Sequence, residues 1–85
     1  MKMNKSLFEM LVSQAEAERK KAFLTLELLS NHPAGIGDHS TTDFYDNANE
    51  ALEALTSADD RIETLDKYFF ADLYALNLRF FIVFF

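Results

Sequence analysis

Between Thr41 and Phe69 the chain reads TTDFYDNANEALEALTSADDRIETLDKYF, and the spacing of its apolar residues decides the fold. Ala48, Leu55, Ile62 and Phe69 fall on one seven-residue row; Phe44, Ala51, Ala58 and Leu65 fall on a second. Every position of both rows is apolar over nearly four heptads. Such a repeat predicts a helix whose narrow stripe packs against other helices at shallow crossing angles. The alanines in its middle allow close approach. Ser40-Thr41-Thr42-Asp43, at its start, has the form of a capping box.

Upstream lie all the helix-breaking residues of the chain. Pro33, Gly35 and Gly37 are the only ones, and His32 and His39 flank them, so Asn31 to His39 reads as one break between two helices. The expected turn residues are Pro33, Gly35, Ile36 and Gly37, with Ile36 folded back over the hairpin end and the glycines supplying the backbone angles this needs. Before the break, Ser6-Leu7-Phe8-Glu9 offers another capping box. Phe8, Leu11, Val12, Ala15, Ala22, Leu26 and Leu29 then recur at helical spacing.

The expected fold is therefore all-α: an antiparallel hairpin of helices over about 6–30 and 41–69, roughly 36 and 43 Å long at about 1.5 Å per residue. With the turn centred near Gly35 and Ile36, residue i would face residue 71 − i. Lys5 would then lie near Asp66, Glu9 near Arg61, and Arg19-Lys20-Lys21 near Glu50 and Glu53.

A two-helix hairpin cannot bury both of its stripes. The first helix carries a second apolar line, Leu7, Met10, Phe23, Leu24 and Leu28, and exposed stripes of that size mark interfaces. The economical expectation is a homodimer whose hairpins pair into a four-helix bundle. Its interface is expected at Phe44, Ala48, Leu55, Ile62, Leu65 and Phe69. A short third C-terminal helix folded onto the hairpin would do a similar job within one chain.

The composition shifts sharply near the end, so residues 1–69 read as the hairpin domain and 70–85 as a hydrophobic aromatic tail. From Tyr68 onward there are six of the nine phenylalanines and two charges, Asp72 and Arg79. Asp72, Asn77 and Arg79 are expensive in hydrocarbon, which disfavours a membrane-spanning helix. The alternative to a buried tail is a membrane-associated protein acting through this Phe-rich segment. A shifted reading frame would produce the same composition, and such a tail aggregates when exposed.

Charge and composition exclude several functions. Asp and Glu number 14 against 8 Lys and Arg, a net charge of −6, which disfavours a phosphate-backbone partner; no nucleic acid is expected. With no cysteine there is no disulfide scaffold and no thiol nucleophile. The stretch after Met1-Lys2-Met3 is broken by Glu9, Gln14 and Glu16, unlike a secretory signal. An intracellular, soluble protein is expected.

No catalytic constellation emerges. Glu50-x-x-Glu53 and Glu63-x-x-Asp66 resemble the paired carboxylates of all-helical nucleotide pyrophosphatases, which hold magnesium between facing helices. Here both pairs sit on one helix, about 20 Å apart, opposite the apolar rows. A di-iron bundle needs inward Glu-x-x-His, and neither histidine has a glutamate three positions earlier. His32, Asp38 and His39 are residue types that ligate metals, yet Asp38 and His39 are equally suited to a helix start. Gly35-Ile36-Gly37 could present amides to an anion, which Asp38 would repel. No enzyme, cofactor or metal is expected.

Asn31-His32-Pro33-Ala34-Gly35-Ile36-Gly37-Asp38-His39, with the charged helix ending Asp60-Arg61-Ile62-Glu63-Thr64-Leu65-Asp66-Lys67-Tyr68-Phe69, resembles small helical-hairpin proteins of marine tailed bacteriophages, cyanophages included. The likeness covers about residues 6–69. It implies a phage accessory or interaction protein working in a host cytoplasm, and carries no activity with it.

Overall fold

A computed structural model describes residues 2–31 and 41–74, apart from the side chains of 41 and 42. The fold is an antiparallel all-α hairpin. Helix α1 spans Lys5–Asn31 and helix α2 spans Thr41–Leu65; α2 runs on through a π turn, Asp66–Phe70, into a last helical turn, Ala71–Leu73. The second rod thus continues past Phe69 as one piece. The expected turn residues Pro33, Gly35, Ile36 and Gly37, and the histidines beside them, lie outside the described residues.

Helix α1 begins two residues earlier than its Ser-x-x-Glu pattern suggests. Asn4 is the cap: its Oδ1 accepts from the backbone N–H of Ser6 at 2.7 Å and of Leu7 at 3.3 Å. An asparagine at this position satisfies two of the amides that the first turn leaves without a helical partner. Ser6 is thereby drawn inside the helix instead of capping it.

The core is small and repeats every seven residues. Phe8, Ala15 and Ala22 of α1 are buried against Ala51, Ala58 and Leu65 of α2, and Ala58 is fully enclosed. Among the described residues no bulky side chain is completely buried. A radius of gyration of 18.0 Å and extents of 55 × 28 × 15 Å describe a flat rod. A compact chain of this length would have a radius of about 12 Å.

The register differs from the expected one by about a heptad, seven to eight residues. Arg61 is paired with Glu18, and Arg19 lies 3.6 Å from Asp59. Residue i therefore faces about residue 78 − i to 79 − i, not 71 − i, and the expected pairs of Lys5 with Asp66 and Glu9 with Arg61 do not form. A shift of seven leaves each apolar row on an apolar row, so periodicity alone cannot separate the two registers. Packing separates them. The observed register sets Ala15 level with Leu65 and Leu29 level with Ala51, large against small, with a single thin layer of Ala22 on Ala58 between them. The other would stack Ala15 on Ala58 and Ala22 on Ala51, leaving two thin layers in succession.

The π turn solves a phase problem at the open end. Continued at seven-residue spacing, the row Ala51, Ala58, Leu65 would place Asp72 in the core. One extra residue in the turn rotates Asp72 to solvent and brings Phe70 and Tyr74 over Phe8 instead. Phe8 lies 6.5 Å from Phe70 and 6.0 Å from Tyr74, and those two rings stack at 4.9 Å.

Candidate interaction surface

Helical geometry sorts every side chain by its angle from the seam, at about 100° per residue. The two ion pairs mark opposite broad faces: Glu18–Arg61 lies on one, Arg19–Asp59 on the other. The Glu18 face is the more polar. It carries Gln14 near Arg61, and Lys21, Thr25, Asn47 and Ser57 line, with Leu28 and Leu29, a shallow groove beside Ala22 and Ala51. The row Leu7, Gln14, Lys21 and Leu28 is the edge where this face meets the back of α1. The Arg19 face is more apolar. There Phe23 and Leu52 stand exposed, with Val12, Leu26, Ala48, Leu55 and Ile62 half-buried between them.

The backs of the two helices differ more strongly. Opposite the buried row of α1, about 180° around the helix, run Met10, Ala17 and Leu24, seven apart and all exposed. Leu7 and Leu28 flank them, and the four bulky residues of this face are between 45% and 58% exposed. Opposite the buried row of α2 run Asp46, Glu53 and Asp60, also seven apart and exposed. Helix α1 is apolar on two opposite sides; α2 is apolar inward and acidic outward.

The residues expected at an interface distribute unevenly. Leu65 is buried within the hairpin itself, while Phe44, Ala48, Leu55, Ile62 and Phe69 are half-buried. Phe44 meets Tyr45 edge-on at 5.7 Å. Most of the large exposed apolar side chains of the described residues lie on α1 instead. Its bulky members stand out in the sequence, whereas Ala17 between them is noticed only once the seven-residue spacing of Met10, Ala17 and Leu24 is followed.

Glu50, Glu53, Glu63 and Asp66 all remain exposed along one rod. Among the described residues no group of acids and histidines comes together to hold a metal ion. Among them, too, no helix is long and apolar enough to cross a membrane. The trio His32, Asp38 and His39 lies outside the described residues.

At the open end of the hairpin the environment acts on a titrating group. Partial desolvation against Phe8 and Phe70 raises the Tyr74 phenol above its ordinary value. Its hydrogen bond to Glu9 Oε1, at 3.2 Å, and the negative charge of that carboxylate push the same way. Lys5 Nζ sits 5.2 Å from the centre of the Tyr74 ring, so this end is closed by a cluster of aromatic, cationic and acidic groups. Its geometry is that of a clamp, in which Tyr74 of the second rod is tied to Lys5 and Glu9 of the first.

The chain matches no protein-family model, no curated protein and no solved structure.

Proposed function

We propose that this chain is a small, non-enzymatic interaction protein that self-associates through its exposed apolar helix surface, two hairpins forming a four-helix assembly. One observation carries the reading. Among the described residues the hairpin encloses only six apolar side chains, four of them alanines, while Leu7, Met10, Phe23, Leu24, Leu28 and Leu52 stay about half exposed. A surface of that kind on a helical rod in water is stabilised by a second surface placed over it. The resemblance to phage hairpin proteins supports an accessory role in a host cytoplasm, with assembly rather than chemistry as the activity.

The test is the light-scattering mass of the full chain after size exclusion, over a dilution series. A dimer that dissociates on dilution is the expected result. A monomer at every concentration overturns the reading.

A further inference from the structure

We infer that the partner on the back of α1 is a second copy of this chain, docked antiparallel with its two-fold axis at Ala17. The inference rests on the self-association reading and specifies its seam. The bulky apolar side chains on this face, set among exposed Ser13, Lys20 and Glu27, are nearly palindromic. Met10 and Leu24 are equidistant from position 17; Leu7 and Leu28 straddle it within half a residue, as do Gln14 and Lys21. A two-fold interface requires this arrangement, because each residue must find on the other copy the partner that its own counterpart finds.

Antiparallel docking sets Met10 against Leu24 of the second copy and Leu7 against Leu28. The small side chain of Ala17 lies at the crossing point, where two helices come closest. Lys21 then meets Gln14. Parallel docking would instead set Lys20 and Lys21 beside the same lysines of the other copy, a like-charge contact. The alternative seam along the back of α2 would oppose Asp46, Glu53 and Asp60 to another acidic row. Charge thus directs the two α1 helices to the middle and leaves α2 outside. From Leu7 to Leu28 the seam runs about 31 Å.

The absence of native cysteine makes the test direct. Full-length Ala17→Cys, Met10→Cys, Leu24→Cys and Asp60→Cys chains are oxidised at the concentration where scattering gives the dimer mass. Ala17→Cys is expected to convert mostly to covalent dimer. In the antiparallel pair two Met10→Cys sulfurs lie about 21 Å apart along the axis, beyond disulfide reach, so that chain stays uncrosslinked alone and links when mixed with Leu24→Cys. Efficient linking of Met10→Cys to itself would overturn the antiparallel arrangement. A dimeric protein in which Ala17→Cys links no better than Asp60→Cys would overturn the seam but leave self-association standing. A monomeric mass with no linking anywhere removes both, as it would if the Phe-rich residues 75–85 covered α1 within one chain.

Discussion

Arg61 donates a charged hydrogen bond to Glu18 across the seam, 43 positions away in sequence. Its Nε also donates to the Ser57 carbonyl at 3.2 Å, holding the guanidinium against its own helix. The pair is exposed, and such pairs contribute no more than about 1 kcal/mol. Its importance is positional, since with Arg19–Asp59 it marks which of two seven-shifted registers the helices adopt.

That register is open to a direct check. The double variant Ala22→Cys/Ala58→Cys places its cysteines level and is expected to close an intrachain disulfide on mild oxidation. Ala15→Cys/Ala58→Cys, level only in the register shifted by seven, is expected to stay reduced. Mass spectrometry of alkylated chains distinguishes them, and the reverse result would refute the alignment.

Ala58 is fully enclosed at the narrowest part of the seam. Ala58→Leu is expected to lower stability by about 1–3 kcal/mol, because extra methylenes force the helices apart. Ala54→Leu, at an exposed position of the same helix, is expected to change it little. Chemical denaturation followed by circular dichroism compares the two; equal midpoints would contradict the close approach.

The cap at Asn4 predicts a smaller loss. Asn4→Ala is expected to cost about 1 kcal/mol, while Ser6→Ala, which removes the apparent capping serine, leaves stability nearly unchanged. Thermal unfolding of both variants measures the difference, and a larger effect at Ser6 would restore the capping-box assignment.

Tyr74 should hold its proton to a higher pH than an ordinary tyrosine does. Its affinity for the proton is raised from the usual 10.0, so the folded state favours the neutral phenol. The sign follows from linkage: this contribution to stability is complete below the ordinary tyrosine value and is lost as pH rises through the higher folded one. Spectrophotometric titration of phenolate is expected to show a late step that Tyr74→Phe abolishes. A late step surviving in that variant would assign it elsewhere.

The hairpin was legible in the sequence because each of its signals is local. Seven-residue rows from Phe44 to Phe69, helical spacing from Phe8 to Leu29 and breakers confined to 33–37 need no knowledge of what lies across the chain. The register was not legible for the same reason. A repeat of seven is blind to a shift of seven, and surface charges offered partners in either alignment. The layering separates them: Leu65 beside Ala15 and Leu29 beside Ala51 leave one thin layer, Ala22 on Ala58, where the other register would leave two in succession.

The candidate surface divides in the same way. That α1 carries more apolar residues than α2 can cover was evident from Leu7, Met10, Phe23, Leu24 and Leu28. Their distribution over the back and one broad face, with the acidic row of α2 turned outward, depends on the seam. The π turn belongs wholly to the tertiary structure. Its local sequence, DKYFF, is ordinary helix-compatible chain. The turn forms because continuing the α-helical phase would bury Asp72, and one added residue replaces that charge with Phe70 and Tyr74 over Phe8. Sequence determined the helices and their apolar stripes; side-chain volume and the cost of burying a charge, which act only between elements, decided how those stripes meet.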